Sequence, residues 1–217
     1  DFMTKPKIDF IIHCAAQPAM TIAIEDPMYD ADDNIMGCLN MLNIAKKYNA
    51  RFIYASTSEI YGDPKEHPQK ETYFGNVNTF GPRSCYDESK RFAEAATYVY
   101  LRKHNLDARV IRIFNTYGPR MKKDDGRVVS NFINHSLTGE VINIDGDGTQ
   151  TRSFCYIVDM VDGIYKAMFS DSTKGEIFNL GNPVEYSVKE LADKIKDLTD
   201  SKSEIKYSGT FRENDPM

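Results

Sequence analysis

The first 115 residues alternate between short apolar runs and segments with helical periodicity. Three runs are apolar almost throughout, as is typical of strands buried on both faces of a parallel sheet: residues 8–14, 52–55 and 109–114. Two segments between them have helical periodicity, at residues 31–48 and 86–104. One face of the first helix is formed by Ile35, Leu39, Leu42 and Ala45. This β-α-β-α-β order predicts a doubly wound parallel sheet with right-handed crossovers.

After Pro119 the predicted elements become shorter and more mixed. Helices are predicted at 128–137, 158–169 and 188–198, and strands at 141–144, 176–180 and 204–207. Ser187 and Glu190 have the spacing of a capping box at the start of the last helix. We therefore expect a partial dinucleotide-binding domain over residues 1–120. A smaller α/β substrate-binding lobe over 121–217 is expected to be partly interleaved with it.

Composition narrows the range of partners. The chain has 217 residues, 41% of them hydrophobic, and a net charge of −5 without a basic stripe. Nucleic acid and anionic membranes are therefore not expected as partners, and no apolar run approaches the roughly 20 residues of a membrane span. Four widely spaced cysteines and four histidines show no metal-ligand spacing. We expect no metal site, and free thiols in a reducing, cytoplasmic compartment.

Tyr86 and Lys90 are the first candidates for chemistry. They are four residues apart at the start of a predicted helix, so their side chains share one face. A tyrosine ordinarily ionises near pH ~10, and a nearby ammonium favours the phenolate that a general base requires. In isolation, such a pair is more often surface decoration on a helix than a catalytic pair.

Polar or small residues follow all three predicted strands of the first half. Ser56, Thr57, Ser58 and Glu59 follow the second strand, Asn115 and Thr116 the third, and residues 13–17 (HCAAQ) the first. Ligands of open α/β sheets bind outside the carboxyl ends of the strands, so these residues predict a ligand site there. The alternative is that Ser56 and Thr57 only cap a turn.

Several runs, taken in order, resemble the extended short-chain dehydrogenase/reductases, also called the NAD-dependent epimerase/dehydratase family. They are ASTSEIYGDP (55–64), GPRSCYDESKR (81–91), RIFNTYGPRM (112–121), DGRVVSNF (125–132) and GTQTR (148–152). Within that family the runs are most similar to the UDP-glucuronic acid decarboxylases. The resemblance implies a Rossmann-like sheet, NAD as cofactor and a UDP-sugar as substrate.

The resemblance also implies catalytic roles. Tyr86 would take the proton of the sugar 4-hydroxyl, Lys90 would favour the phenolate and bond the nicotinamide ribose, and Thr57 would share the hydroxyl's hydrogen bond. Glu59 would position the ring or manage a proton. Because sugar 4,6-dehydratases have an acid where Ser58 stands, and epimerases usually lack Glu59, the pair favours decarboxylation through a 4-keto sugar. A 4-epimerase or 4,6-dehydratase remains the alternative.

Further residues are implied to bind ligands. For the cofactor they are His13, Ala15, Ala16, Gln17, Ser56, Tyr86, Lys90 and Thr116. For the nucleotide sugar they are Asn115, Arg127, Val128, Asn131, Phe132 and Arg152. Arginine forks suit diphosphate oxygens, although each arginine taken singly is also consistent with a solvated face. The family further implies a homodimer, formed by the helices at 31–48 and 86–104.

One feature of the family is missing from the sequence. Its glycine-rich turn, G-x-x-G-x-x-G, binds the cofactor pyrophosphate, and no such motif occurs in these 217 residues. The first β-α-β of the dinucleotide-binding domain is therefore expected to be absent. We expect either an excerpt of a longer enzyme or an inactive chain, and a non-catalytic nucleotide-sugar-binding fragment is the alternative from another class.

Overall fold

The computed structural model describes residues 7–18, 20–123 and 126–210. Asp125, the first residue of the run DGRVVSNF, and the residues from 211 onward lie outside the described residues. The strands are β1 (Phe10–His13), β2 (Arg51–Thr57), β3 (Ala108–Ile113), β4 (Thr116–Tyr117), β5 (Ile142–Ile144), β6 (Thr151–Ser153), β7 (Cys155–Tyr156), β8 (Ile177–Leu180), β9 (Glu185–Ser187) and β10 (Ile205–Tyr207).

The α-helices are α1 (Met20–Glu25), α2 (Pro27–Asp30), α3 (Gly37–Tyr48), α4 (Ser84–His104), α5 (Val128–Thr138), α6 (Ile157–Phe169) and α7 (Val188–Thr199). A π-helical segment, Ala31–Met36, joins α2 to α3. Two short 3₁₀ turns also occur in the part of the chain that the structure describes, at Ser58–Tyr61 and Asp171–Thr173. None of the helices in the described part of the chain is both long and apolar enough to cross a bilayer.

The main sheet is parallel and four-stranded, with the order β1-β2-β3-β8. Its two faces bury different side chains, because side chains alternate along a strand. Tyr54 of β2 packs in a cluster with residues of α3 and α4, whereas Ile53 packs with Met168 of α6 on the opposite face. Helices thus cover both faces, which confirms the predicted doubly wound α/β architecture.

The first half of the helix predicted at 31–48 is not a regular α-helix in the structure. Helical structure begins at Pro27, with Asp26 as the capping residue, and passes through the π-helical turn before α3. The buried stripe is Asn34, Cys38, Leu42 and Ala45, so the two earlier apolar positions, Ile35 and Leu39, are only partly buried. The buried amide of Asn34 replaces an apolar side chain at the start of the stripe.

The chain divides into two compact units. The first contains the described residues of 1–113 and 161–180, and therefore the parallel sheet with α1 to α4. The second contains those of 114–160 and 181–217. In the second unit, α5 and α7 pack against β5 around a core formed by Phe132, Ile142, Ile144, Val188, Ala192 and Ile195.

Three strand pairs occur among the described residues of this second unit. β5 and β10 are parallel, β4 and β7 are parallel, and β6 and β9 are antiparallel. All six of these strands have only two or three residues. The sequence predicted β5 and β10, at 141–144 and 204–207, but not β4, β6, β7 or β9. The predicted capping box is confirmed: Ser187 Oγ accepts from the Glu190 amide at 3.1 Å, and Glu190 accepts from the Ser187 amide at 2.8 Å.

Candidate active site

The start of α4 places Tyr86 and Lys90 side by side in a buried position. The two residues are 6% and 4% exposed, on a helix that packs against β2 and β3. Lys90 Nζ donates to the carbonyl oxygen of Ala55 at 3.3 Å and lies 5.3 Å from the centroid of the Tyr54 ring. The pair is therefore not surface decoration: it is held against the carboxyl end of β2.

Burial dominates the electrostatics of Lys90. It lowers the pKa of the ammonium to about 8, although the nearby Cys38, Asp30 and Cys14 act in the opposite direction. The pKa of His13 at the end of β1 is lowered by burial and by the charge of Lys90. Lys90 is therefore mostly charged at neutral pH but readily influenced by its surroundings.

The residues after β2 form a tight turn. Thr57 caps the 3₁₀ turn 58–61, and its Oγ1 accepts from the Glu59 amide at 3.3 Å. Gly62 ends this turn at φ +64°, and a Cβ there would overlap the Asn76 carbonyl, so glycine is required. The capping alternative for Thr57 is thus realised, and it orients Ser58 and Glu59, both half-buried, beyond the end of the strand.

A buried hydrogen-bond network ties α4 to the sheet one turn after Lys90. Ser56 Oγ donates to Glu94 Oε1 at 2.5 Å, and Arg112 of β3 donates to both oxygens of Glu94 at 3.1 and 2.8 Å. Arg112 also donates to the Tyr61 hydroxyl at 2.8 Å, which donates to Asn179 of β8 at 2.7 Å. Ser56 therefore orients the helix through Glu94, a residue the sequence motifs did not single out.

A second group of charges surrounds Glu59. Its carboxylate forms an ion pair with Nη2 of Arg83, the residue just before α4. Nε of Arg83 lies 3.9 Å from Oδ2 of Asp87, which is 3% exposed. Burial raises the pKa of Asp87 to about 6, and Arg83 opposes that shift. The sequence analysis did not indicate Arg83 or Asp87, although their i,i+4 spacing is a signal for such a pair.

The segment after β1 is anchored to the helical layer through Asn34. The amide of Gln17 donates to Asn34 Oδ1 at 3.1 Å, and Asn34 Nδ2 donates back to the Gln17 carbonyl at 3.1 Å. Asn34 also donates to Asp30 at 2.9 Å and to Ser89 of α4 at 3.3 Å. Gln17 is buried, whereas the predicted cofactor neighbours Ala15 and Ala16 are exposed and half-buried. Small, accessible residues in this position leave room for a flat ring.

Among the described residues, the titratable neighbour of the Cys85 thiol is the Asp30 carboxylate, which does not activate it. Its Sγ lies 3.8 Å from Oδ2 of the fully buried Asp30, and burial together with that carboxylate raises the pKa of the thiol. A raised pKa keeps the sulfur protonated, so Cys85 is a poor nucleophile.

The second unit contains a cavity of about 320 Å³ beside α5. Four of the predicted substrate residues line it: Val128, Asn131, Phe132 and Arg152. The sequence did not indicate His135, Asn143, Ile144, Asp145, Gln150 and Val188, which complete the lining with Gly126. This volume lies at the lower end of small-molecule sites, which is adequate for part of a ligand.

Arg127 has a different position from Arg152. It precedes α5 as the N-cap residue, exposed, and its carbonyl accepts from the Asn131 amide and from Ser130 Oγ, each at 3.0 Å. It is not among the lining residues of the cavity, whereas Arg152 is. The other predicted ligand residues of this unit lie near its first residue. Asn115 is exposed, and Thr116, the first residue of β4, is half-buried.

A doubly wound parallel sheet with a buried tyrosine–lysine pair at the start of a covering helix defines a protein of the short-chain dehydrogenase/reductase type. The chain belongs to the NAD-dependent epimerase/dehydratase family, whose model matches residues 1–181. This membership confirms the resemblance seen in the sequence motifs.

Curated relatives point to one branch of that family. The chain is 51% identical over 200 residues to UDP-glucuronic acid decarboxylase 5 of Arabidopsis thaliana, covering 92% of this chain and 58% of the relative. It is 46% identical over 201 residues to UDP-glucuronic acid decarboxylase 1 of Danio rerio, covering 93% and 48%. The chain thus spans about half the length of the curated relatives it matches.

Solved structures share the fold. A UDP-glucose 4-epimerase from Thermotoga maritima with UDP-glucose has a TM-score of 0.87 and 30% identity, over 95% of this chain and 66% of that one. A UDP-glucuronic acid 4-epimerase from Bacillus cereus, in complex with UDP-glucuronic acid and NAD, has a TM-score of 0.85 and 26% identity, over 96% and 65%.

Proposed function

We propose that this chain is the catalytic and substrate-binding part of an NAD-dependent UDP-glucuronic acid decarboxylase, which makes UDP-xylose through a 4-keto intermediate. The observation that supports this most is the identity of about half of all residues, over 92% of the chain, to curated proteins with that name. The buried Tyr86–Lys90 pair supplies the chemistry that such a reaction needs.

The hydrogen-bonding capacity of Lys90 supports binding of NAD at this site. Among the described residues, its ammonium makes a single hydrogen bond, to Ala55, so further protons are available for ribose hydroxyls. Ala15 and Ala16 border the same sheet edge without bulky side chains. We propose that NAD is held here by His13, Gln17 and Ser56 together with the catalytic pair. When bound, NAD would supply the hydride acceptor for carbon 4 of the sugar and the hydride donor for the later reduction.

The protein groups then have the following roles. Tyr86 takes the proton of the 4-hydroxyl as general base, and the ammonium of Lys90 stabilises the phenolate. Thr57 Oγ1 hydrogen-bonds the same hydroxyl. Oxidation at carbon 4 places the substrate carboxylate beta to a ketone, so carbon dioxide leaves and the bonding electrons pass into an enolate. Carbon 5 then takes a proton from solvent. Reduction of the ketone completes the pentose, with Tyr86 returning its proton to the oxygen at carbon 4.

Ser58 and Glu59 support decarboxylation over the other reactions of the family. Elimination of water from the sugar needs an acid for the leaving hydroxyl, and Ser58 is a poor one because a hydroxyl holds its proton at neutral pH. Glu59 is ion-paired with Arg83, so it is a carboxylate and suits ring positioning better than proton donation. We assign Glu59 the positioning of the reacting ring.

The nucleotide is proposed to bind in the second unit. The cavity of about 320 Å³ has the aromatic wall of Phe132, the amides of Asn131 and Asn143, and the guanidinium of Arg152. Amides suit a nucleobase edge, and an arginine suits the diphosphate. Arg127, Asn115 and Thr116 are proposed as further contacts of the nucleotide sugar and the cofactor. On this basis residues 1–120 serve mainly the cofactor, and 121–217 mainly the nucleotide sugar.

A homodimer is proposed through the exposed face of α4. Phe92 and Val99 are 46% and 50% exposed and seven residues apart, so they lie on one side of the helix. Met36, at the end of the π-helical segment before α3, is 49% exposed. Burying these apolar side chains against the same surface of a second copy removes them from water, which favours association.

The thiols support a reducing, cytoplasmic location. Cys14 is exposed, Cys85 half-buried, and Cys38 and Cys155 are buried; all four are free. Fluorescent thiol labelling of the protein from lysed cells, with and without prior reduction, tests this. Equal labelling is expected, and labelling that requires reduction would contradict a reducing compartment.

Mass analysis of the product tests the proposed reaction. The complete gene product is incubated with NAD and UDP-glucuronic acid, and the nucleotide sugar is recovered. We expect carbon dioxide and a UDP-pentose. A UDP-uronate of unchanged mass with inverted carbon 4 would instead show epimerisation. No conversion, with no binding of NAD by calorimetry, would favour the non-catalytic alternative.

A further inference from the structure

Arg83 occupies a position between two carboxylates at the edge of the candidate active site. Its Nη2 pairs with Glu59, and its Nε lies 3.9 Å from Oδ2 of Asp87. The side chains of Arg83 and Asp87 are 19% and 4% exposed, against 32% for Glu59. The guanidinium thus lies between the buried carboxylate of Asp87 and the more accessible carboxylate of Glu59.

This ion pair links the two segments that carry the reacting groups. Glu59 belongs to the turn capped by Thr57, at the end of β2. Arg83 is the N-cap residue of α4 and lies three residues before Tyr86. Because a guanidinium is planar and directional, contacts through Nε and Nη2 together orient it better than one contact would. The distance from the β2 turn to the start of α4 is therefore set partly by Arg83.

Asp87 acts as the buried anchor of Arg83. Its Oδ1 has no hydrogen-bond partner among the described residues, and Oδ2 faces the arginine. A buried carboxylate with so few partners depends on a nearby cation. Burial raises the pKa of Asp87 to about 6, and the charge of Arg83 opposes this shift, as an anchoring pair requires.

We propose that Arg83 is a positioning residue for the reaction, which acts through Glu59 by holding that carboxylate ionised and directed at the sugar ring. The inference rests on the proposed function, because it assigns Glu59 a place beside the reacting sugar. The substrate is itself an anion, and its carboxylate repels Glu59. Arg83 neutralises part of that repulsion and prevents Glu59 from turning away when the substrate binds.

A double-mutant cycle tests this proposal. Arg83→Gln, Glu59→Gln and the double variant are compared in kcat and KM, with Arg102→Gln, an exposed arginine in the last turn of α4, as the matched control. We expect Arg83→Gln alone to lower kcat roughly 10- to 100-fold with little change in KM. In the Glu59→Gln background the same change should alter kcat by less than about twofold. Independent losses that multiply would overturn the proposal.

Arg83→Lys separates charge from geometry. Lysine keeps the positive charge but has no planar fork, so an intermediate kcat is expected. A kcat equal to that of Arg83→Gln shows that the fork is needed. A fully retained kcat would overturn the orienting role. Thermal melting of each variant identifies those that fail to fold.

Nitrogen-15 NMR of the arginine side chains gives a readout that needs no turnover. We expect rotation about the Cζ–Nε bond of Arg83 to be slow in the wild type and faster in Glu59→Gln. Equal rates would overturn the proposal even if every variant were inactive. The kinetic cycle is run on whichever conversion the wild type performs. Epimerisation would thus refute decarboxylation while still testing Arg83.

Discussion

The ammonium nitrogen of Lys90 lies 5.3 Å from the centroid of the Tyr54 ring. Tyr54 belongs to the buried cluster that packs α3 and α4 on the sheet, so Lys90 is a charge placed within a hydrophobic core. The aromatic face offsets part of the desolvation cost, and the single carbonyl contact to Ala55 offsets more. What remains is a stability cost, which the proposed catalytic role of Lys90 would explain.

The pH dependence of that cost leads to the first prediction. Because burial lowers the pKa of Lys90 from 10.5 to about 8, the folded protein holds this proton less tightly than the unfolded chain. The lysine therefore destabilises the fold below about pH 8, and the cost fades as pH rises toward 10.5. The shift corresponds to up to about 3 kcal/mol. We expect Lys90→Met to raise the melting temperature at pH 7 and to raise it less at pH 10.

Circular-dichroism melts across this pH range measure the effect. Lys103→Met, an exposed change on the same helix, is the control and should leave the melting temperature nearly unchanged. A Lys90→Met variant that is less stable than the wild type at pH 7 would show that the ammonium stabilises the fold.

Tyr86→Phe removes the proposed base and little else. The phenyl ring keeps the packing of this buried residue, so the fold and the affinity for UDP should be unchanged. We expect kcat to fall at least roughly 100-fold, because general-base catalysis contributes that much or more. Tyr98→Phe, on the exposed side of the same helix, is the matched control. Turnover within a few-fold of the wild type in Tyr86→Phe would reject the role of the phenol.

Arg152→Gln is expected to weaken nucleotide binding. Arg152 lines the cavity of the second unit, and loss of a charge-assisted contact to a diphosphate costs about 1.5 to 3 kcal/mol, roughly a 10- to 100-fold change in Kd. Calorimetry with UDP measures it, and Lys206→Gln, a surface change on β10, is the control. Unchanged affinity in Arg152→Gln would place the diphosphate elsewhere.

Phe92→Glu is expected to convert the proposed dimer into a monomer. A charge on the exposed apolar face of α4 is costly to bury against a second copy. Light scattering after size-exclusion chromatography measures the molar mass. Phe80→Glu is the control, because Phe80 is 97% exposed in the loop before α4. A wild type that is already monomeric, or a Phe92→Glu variant that stays dimeric, would refute this interface.

The hydrophobic pattern was enough to predict the elements of the main sheet. Apolar runs predicted β1, β2 and β3 to within a few residues, and a separate strand prediction at 176–180 matches β8. Burial on both faces explains β2 and β3, but β1 is partly exposed, with Phe10 at 50% and Ile12 at 47%. The pattern was less informative where polar groups are buried. The buried face of the first long helix includes the polar residue Asn34. The apolar pattern predicted Ile35 in its place, so the predicted buried face was wrong by one residue at that end of the helix.

The candidate site was predictable only where it is local in sequence. Tyr86 and Lys90 are one helical turn apart, and Thr57 to Glu59 are consecutive, so each group can be seen in the chain. Other contacts of the site join residues that are distant in sequence. Glu94 accepts a hydrogen bond from Ser56, 38 positions away, and Arg83 of the segment before α4 pairs with Glu59. Such contacts depend on how the sheet and α4 pack, which a single sequence does not display.

The most direct measurement follows one isotope through the reaction. UDP-glucuronic acid carrying deuterium at carbon 4 is converted by the complete gene product with NAD, and the product is analysed by mass spectrometry and NMR. Oxidation at carbon 4, loss of the carboxylate and return of the same hydride predict a UDP-pentose that retains deuterium at carbon 4. A UDP-uronate of unchanged mass, with its configuration at carbon 4 inverted, would contradict the decarboxylase assignment.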